Sequence, residues 1–322
     1  MVEMIKKLFF TAALVVPSLA YAGNPSADLA VQIVPAGSAV PAPAQAAGFT
    51  TLALNADFTQ PFYATPSNWL ACAGATNPQW WIGGAQTDGA HPPPCSAIRQ
   101  ANDPSTGQPV LDMTWLPSYQ VGNTAMTEIW TVNQAPGTTR GTMYPFGYYE
   151  AVARIVPMTN NTPDNQYFGF WTNDASNGSA GGIEYDAIET RQNGVTDSCI
   201  HNWGQGGAGN CLWIGTPPPE VAGGYDATQY HKYAMRITGD GGKAIWMCNY
   251  VDDVFQGCVQ ANASGSQLTG QRNIPQLAVG AMSNNPGLPN TRFRQDLYVK
   301  SVRVWSCSDW QGSFCPSSSA NP

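Results

Sequence analysis

The chain has 322 residues, a formal net charge of -7 and only 11% charged residues. This length suffices for one large domain, and an acidic, charge-poor surface lacks the basic stripe that nucleic acids require, so we expect no nucleic-acid partner. Glycine (33 residues) and proline (26 residues) are frequent, and long amphipathic helical patterns are absent. This composition predicts an all-β protein built from many short strands joined by turns.

The N-terminus predicts a secretory signal peptide over residues 1–22. Two lysines precede a mostly apolar run, residues 8–19, and Ala20 and Ala22 give the small-residue pattern of a cleavage site before Gly23. The apolar run is too short for a comfortable membrane span, and no later stretch is long enough. We therefore expect no membrane span in the mature chain and a secreted protein, extracellular or periplasmic. A retained N-terminal anchor is the alternative.

The rest of the chain divides by composition into three parts. Residues 23–48 are rich in Ala, Pro, Ser and Val with little charge, which predicts a flexible or extended linker. Strand patterns begin near Phe49 and continue to about residue 306, so we place one β-domain at residues 49–306. Residues 307–322 form a short C-terminal tail, looped by a disulfide.

Eight cysteines all lie in the predicted mature chain, and an even number in a secreted protein predicts disulfides. Many connectivities are possible, so pairing between sequence neighbours is a hypothesis, strongest where two cysteines flank the turn of a hairpin, Cys248 and Cys258. Zinc is the alternative, but no C-x-x-C occurs and the three histidines do not cluster. We predict no metal and no cofactor. The proposed pairs are Cys72–Cys95, Cys199–Cys211, Cys248–Cys258 and Cys307–Cys315.

One stretch, residues 182–190, concentrates three carboxylates in a chain with few charges. The residues between them are apolar or aromatic, which predicts a buried strand, and alternation places Glu184 and Asp186 on one face. A β-bulge near Ala187 and Ile188 would return Glu189 to that face. Aligned carboxylates repel, so one stays protonated while another is ionised, and two such groups are what glycoside hydrolysis needs. A surface strand whose acidic residues happen to alternate is the alternative.

The E-x-D-x-x-E pattern resembles the signature of glycoside hydrolase family 16, the laminarinase, agarase and endoglucanase group. Flanking segments extend the resemblance over about residues 50–306. They are GYYEAVARI (147–155), GFW (169–171), YHKYAM (230–235), IWMCNYVD (245–252) and VKSVRVW (299–305). The resemblance implies a two-sheet antiparallel β-sandwich, the concanavalin A-like jelly roll. One departure is Lys300, which stands where the family often carries an Asp that helps bind a structural calcium.

The resemblance also implies an activity, that of a secreted, endo-acting, retaining β-glycosidase. It would hydrolyse a β-linked polysaccharide or oligosaccharide, a β-1,3/1,4-glucan or a galactan, by double displacement. Glu184 would be the nucleophile, Glu189 the acid/base, and Asp186 would hydrogen-bond Glu184 and help set its charge.

Three residues are assigned to substrate binding. His201 matches a histidine that the family often carries near the acid/base, although a structural histidine is the alternative. Trp171 is the better stacking candidate, because alternation sends Tyr185 behind the sheet. Trp203 follows two residues after His201. We expect a monomer.

Two other functions of the same fold stay open. One is a lectin-like carbohydrate-binding module without hydrolysis, and the other is a polysaccharide lyase. Residues 204–209 satisfy G-x-G-x-x-G, but no helix pattern follows them, which excludes a dinucleotide site.

Overall fold

The computed structural model describes part of the chain in detail. The described residues are 39–60, 80–82, 94–116, 124–133, 140–156, 167–174, 182–191, 195–203, 209–213, 227–239, 245–261, 273–282 and 294–307. The predicted signal peptide, most of the predicted linker and the tail beyond residue 307 lie outside these residues. No helix in the described part is long and apolar enough to cross a membrane.

Nearly all described elements are strands. The two helical pieces are α1 (Ala42–Ala46) and a 3-10 turn at Cys95–Ala97. The strands in chain order are β1 (Thr51–Asp57), β2 (Trp81–Ile82), β3 (Ile98–Asn102), β4 (Pro109–Trp115), β5 (Thr124–Trp130), β6 (Val132–Asn133), β7 (Arg140–Gly141), β8 (Gly147–Ile155), β9 (Tyr167–Asp174), β10 (Ile183–Arg191), β11 (Val195–Asn202), β12 (Gly209–Trp213), β13 (His231–Gly239), β14 (Ile245–Val251), β15 (Val254–Ala261), β16 (Asn273–Met282) and β17 (Gln295–Ser306).

These strands form the predicted two-sheet antiparallel sandwich. The first sheet has the order β15-β14-β13-β8-β17-β4-β3, with β1 also paired to β17. The second sheet has the order β12-β11-β10-β9-β16-β5-β2, and β6 and β7 form a separate ribbon. Neighbours that are distant in sequence, such as β8 beside β17, show that the chain crosses repeatedly between the sheets. The fold class predicted from the sequence is confirmed.

The main core lies between the two sheets and follows the period of two expected for strands. On β8, Tyr149, Ala151 and Ala153 are fully buried in this core, whereas Tyr148 belongs to a second cluster. On β9, Phe168 and Phe170 are buried in the same core. Each strand of the second sheet therefore presents its alternate residues on the outer face, where the candidate site lies.

The end of the predicted linker differs from the expectation. Instead of an extended chain, α1 follows Pro41, and Ala44 and Ala47 are buried with Trp305 in the second cluster. Two apolar alanines can pack closely against the aromatic residues of the first sheet, so this segment is bound to the domain. The remaining linker residues lie outside the described part.

The hairpin of β14 and β15 matches the prediction in detail. Cys248 lies directly opposite Cys258, and the two form a disulfide. Asp252 and Asp253 between the strands have positive φ angles of 51° and 67°, the left-handed backbone that two-residue hairpin turns require. His231 Nδ1 lies 2.6 Å from Asp252 Oδ2, which supports this turn from β13.

The other predicted disulfides have different outcomes. Cys199 is bonded to Cys211 as predicted, which joins β11 to β12. Cys95 and Cys307 are disulfide-bonded too, but the predicted partner of each lies outside the described residues.

Lys300 in β17 departs from the family pattern, and its surroundings explain how the chain uses the position. Its Nζ lies 4.0 Å from the centre of the Tyr230 ring, a cation–π contact. The Tyr230 hydroxyl donates a hydrogen bond to Asp103, which also pairs with Arg154. The basic side chain of Lys300 therefore occupies the position where the resemblance predicts an acidic residue.

Candidate active site

A bulge in β10 places the three carboxylates on one face. Glu184 and Asp186 alternate with fully buried residues, as predicted. The pairing with β9 then shifts register between Asp186 and Ile188, so Ala187 is the extra residue of a β-bulge, and the predicted bulge is confirmed. Glu189 thereby returns to the outer face. The side chains between the carboxylates join the main core: Ile183, Tyr185, Ala187 and Ile188.

The charged groups of this strand converge with a histidine of β11. One oxygen each of Asp186 and Glu189 and one ring nitrogen of His201 lie within 4.8 Å of one another. His201 Nε2 is 3.4 Å from Asp186 Oδ2, and His201 pairs with Glu184 across the two strands. The predicted residues therefore form one cluster.

Burial sets the electrostatics of Glu184. Desolvation raises the pKa of Glu184 from 4.5 to about 7, and the charge of Glu189 adds to the effect. Hydrogen bonds from Trp203 and Asn173 favour the ionised form and oppose part of this rise. Near neutral pH the pair can therefore hold one proton, which is the condition for one group to attack while the other donates.

His201 is held between neighbours on both sides. Its ring stacks on Trp203, with centroids 5.3 Å apart and planes 20° from parallel. Gly209 lies opposite it on β12, and a Cβ placed there would come within 2.6 Å of the imidazole. Only glycine leaves room for the ring, so this residue type follows from the position of His201.

The two tryptophans assigned to substrate binding differ in exposure. Trp171 lies opposite Asp186 on β9, packs with Met126 and Ala278, and is 5% exposed. Trp203 is 48% exposed, one of few large apolar side chains with that exposure in the described part. Trp203 can therefore offer a ring face to a ligand directly, whereas Trp171 is packed against its neighbours and exposes little of its ring.

A fourth carboxyl group on this face was missed by the sequence analysis. Glu128 of β5 is fully buried, and neither of its oxygens has a hydrogen-bond partner among the described residues. Desolvation raises the pKa of Glu128 from 4.5 to about 8. The Trp130 side chain opposes part of this rise, and the charge of Glu184 adds to it. Gln276 on β16 is likewise fully buried, with neither amide atom hydrogen-bonded in the described part. The available signal was a lone glutamate in an apolar strand pattern, Met126 to Trp130.

Glu128 and Glu189 lie at opposite ends of one row across the second sheet. Glu189 pairs with Gly169, which pairs with Ala278, which pairs with Glu128. The two residues between the acidic groups are small, and all four members of the row are buried. A neighbouring row brings Asp186, Trp171 and Gln276 side by side.

The cluster also bears on metal binding. Asp186, Glu189 and His201 could each offer one ligand atom to an ion, and the Cys199 sulfur is close enough to join them. That sulfur is bonded to Cys211, so the thiolate ligand that zinc prefers is absent there. The absence of a required metal stays a prediction.

Comparisons with known proteins give structural likeness but no sequence match. No family model and no curated protein matches the chain. An endo-β-galactosidase from Clostridium perfringens that releases GlcNAcα1-4Gal matches with a TM-score of 0.54 and 16% identity, over 82% of this chain and 64% of that protein. The chain thus spans less than two thirds of that enzyme.

Two laminarinases show the same likeness over nearly their whole length. The catalytic domain of the Thermotoga maritima enzyme matches with a TM-score of 0.53 and 14% identity, over 80% of this chain and 98% of that one. The enzyme from Flavobacterium sp. UMI-01 gives 0.50 and 14%, over 79% and 100%. At such identities the shared feature is the fold, and the predicted resemblance to the laminarinase group is confirmed at that level: the chain has their two-sheet architecture.

Proposed function

We propose that the protein is an endo-acting, retaining β-glycosidase that hydrolyses a neutral β-linked polysaccharide. The observation that carries this proposal is the bulged strand, which aligns Glu184, Asp186 and Glu189 on one face and couples the protonation of the two glutamates. A lectin-like module needs no such costly alignment of buried carboxylates. The glycosidase folds matched by the chain support the same class of reaction.

In the proposed reaction Glu184 is the nucleophile. Its carboxylate attacks the anomeric carbon as the glycosidic C–O bond breaks, and the Glu189 proton passes to the departing oxygen. Glu189 then accepts a proton from water, whose oxygen displaces Glu184 and restores both groups. Trp203 and Asn173 favour the ionised form of Glu184, which supports this division of roles.

Asp186 and His201 assist the acid/base. The Asp186 carboxylate lies between the two glutamates in sequence and beside Glu189 in space. A negative charge on Asp186 would disfavour ionisation of Glu189, and the proposed reaction requires Glu189 to hold the proton before attack. The 3.4 Å contact of His201 with Asp186 keeps that carboxylate oriented.

The cleft favours an uncharged sugar. Glu128 and Gln276 present buried polar atoms that have no hydrogen bond in the described part, and sugar hydroxyl groups are suitable partners for them. A sulfate or carboxylate on the sugar would meet four acidic side chains here. We therefore propose an unsubstituted β-glucan or galactan, with Trp203 and Trp171 contacting the rings.

Product stereochemistry tests the roles. In Glu184→Gly, azide should enter from the vacated face of an activated β-glycoside and give the α-glycosyl azide. In Glu189→Ala, a good leaving group needs no proton, so the covalent intermediate forms and azide gives the β-anomer. We expect each variant to lose at least about 100-fold of the wild-type activity on polysaccharide.

The outcome is read by NMR assignment of the anomers, with the wild-type enzyme in azide as control. Reversed anomers would mean that the two glutamates exchange roles. Wild-type activity in both variants would refute the catalytic pair and favour the lyase function, whereas a wild-type protein that binds polysaccharide without cleaving it would favour the lectin-like function. A reducing-sugar assay over a panel of β-glucans and galactans identifies the substrate first.

We also propose that the protein acts as a monomer outside the reducing cytoplasm. The disulfides Cys199–Cys211 and Cys248–Cys258 support this location, because such bonds persist in oxidising compartments. N-terminal sequencing of secreted material should begin at Gly23. A chain that keeps residues 1–22 would contradict the cleavage site.

A further inference from the structure

The bulge of β10 removes backbone groups from the regular ladder. Pairing with β11 is interrupted between Tyr185 and Glu189, so the backbone there needs other hydrogen-bond partners. Two side chains supply them. Ser198 Oγ donates to the Asp186 carbonyl at 2.6 Å, and Asn249 Nδ2 donates to the Ala187 carbonyl at 3.2 Å.

Asn249 reaches the bulge from the opposite sheet. It lies on β14 of the first sheet, on the core-facing side between Met247 and Val251, and it is fully buried. Its amide crosses the core to the second sheet. Ser198 is also fully buried but lies on β11, directly beside the catalytic strand.

The stability of the fold alone does not explain Asn249. Its Oδ1 has no hydrogen-bond partner among the described residues, and a buried, unpaired polar atom costs about 1–3 kcal/mol. A leucine would fill similar space in an apolar core without that cost. What asparagine provides and leucine does not is the hydrogen bond to the Ala187 carbonyl. Ala187 is the extra residue of the bulge, and this extra residue places Glu189 on the same face as Glu184 and Asp186.

We propose that Asn249 and Ser198 are positioning residues that hold the bulge and thereby aim Asp186 and Glu189. This role rests on the proposed glycosidase function. Because a strand that slips by one residue turns every later side chain to the other face, the bulge determines whether Glu189 reaches the cleft at all. Even a displacement of about 1 Å at the acid/base can cost on the order of 100-fold in rate.

The variants Asn249→Leu and Ser198→Ala remove one donor each. We expect kcat to fall about 10- to 100-fold, with KM within about 3-fold, because neither side chain touches the cleft surface. The pH profile should change shape, since the separation of Glu184 and Glu189 sets their mutual effect on proton affinity. The unfolding midpoint of Asn249→Leu should stay about level, because leucine removes the unpaired Oδ1 but leaves the Ala187 carbonyl without its donor. Ser198→Thr, which keeps the hydroxyl, should retain most of the wild-type kcat.

Thr127→Val is the matched control. Thr127 is fully buried, and its hydroxyl donates to the Thr114 carbonyl at 2.6 Å, from the second sheet to the first and away from the bulge. Its loss should change the unfolding midpoint but leave kcat and the pH profile near those of the wild type.

The outcomes separate two questions. A wild-type protein that is inactive on polysaccharides and activated glycosides refutes the proposed function, and the positioning role falls with it. An active wild-type enzyme whose Asn249→Leu and Ser198→Ala variants match Thr127→Val in kcat and pH profile refutes the positioning role alone. If the kcat of the two variants falls only in proportion to the fraction of protein that is folded, the positioning role is refuted as well.

Discussion

Replacing Glu128 with glutamine should change how the stability of the protein depends on pH. Glutamine keeps the shape of the side chain and removes its charge. Glu128 is fully buried, and desolvation together with the charge of Glu184 raises its pKa from 4.5 to about 8. Ionising this group inside the fold is therefore unfavourable, whereas in the unfolded chain it ionises at its ordinary pKa.

The direction follows from proton binding. Between about pH 4.5 and pH 8 the folded protein holds a proton on Glu128 that the unfolded chain has lost, so the free energy of unfolding falls as pH rises through this window. Below pH 4.5 the group is protonated in both states and costs nothing. Above pH 8 the full cost applies, about 5 kcal/mol for this change in pKa. Water admitted to the cleft lowers that figure, so we expect about 2 to 5 kcal/mol.

Urea unfolding at intervals from pH 4 to pH 9 measures the effect. The stability of the Glu128→Gln variant should match the wild type near pH 4 and exceed it above pH 8, with the difference developing between these limits. A smaller decline shared by both proteins is expected up to about pH 7 from Glu184. Asp57→Asn, a change at the last residue of β1, controls for the loss of one negative charge. Parallel stability curves for the wild type and Glu128→Gln would refute the burial of an ionisable group at this position.

Two further predictions concern the edges of the site and the hairpin. Gly209→Ala should displace the His201 ring, because the new Cβ would lie 2.6 Å from it, and we expect kcat to fall about 10-fold or more with a small change in the unfolding midpoint. An unchanged kcat would show that the imidazole position does not matter. Replacing Cys248 and Cys258 together by serine should lower the unfolding free energy by about 2–3 kcal/mol, the chain-entropy value for a loop of that length, and leave kcat unchanged. Mass mapping that finds Cys248 bonded elsewhere in solution would contradict the pairing.

The features predictable from the sequence are those set by local pattern. The bulge could be inferred because two apolar residues, Ala187 and Ile188, separate Asp186 from Glu189 where strict alternation allows one. The Cys248–Cys258 bond could be inferred because both cysteines flank the same two-residue turn. A one-residue shift of register between the turn and the cysteines brings them directly opposite each other. Each inference needs only the neighbours along one strand or hairpin.

The features missed by the sequence analysis depend on strands that are distant in sequence. The sequence from Met126 to Val132 predicts a strand, but Glu128 joins the face of the other three carboxyl groups only because β16 and β9 place β5 in the same sheet as β10. Asn249 gave no signal, since its partner carbonyl at Ala187 lies 62 residues away in the other sheet. The helix α1 was read as linker because Ala44 and Ala47 are buried only through contact with the first sheet.

The contrast between the two sheets is the strongest structural argument that the outer face of the second sheet is functional. The buried carboxylates of the first sheet and its adjoining turn are compensated by arginine: Asp112 by Arg99 at 2.7 Å, Asp103 by Arg154 at 2.7 Å and Glu150 by Arg303 at 3.5 Å. On the second sheet, Glu128 and Glu184 have no lysine or arginine partner among the described residues. Burial raises the pKa of Asp112 and Glu150 as well as that of Glu128 and Glu184, so the two sheets differ in the cations beside their carboxylates and not in the direction of the shift. A lysine or arginine beside Glu128 or Glu184 would reduce the free-energy cost of burying that carboxylate. It would also keep the carboxylate ionised, whereas acid/base chemistry requires the carboxyl group to gain and lose a proton. The same protein thus places arginine beside the buried carboxylates of the first sheet, and places none beside Glu128 or Glu184 among the described residues, which supports the proposed role of this face.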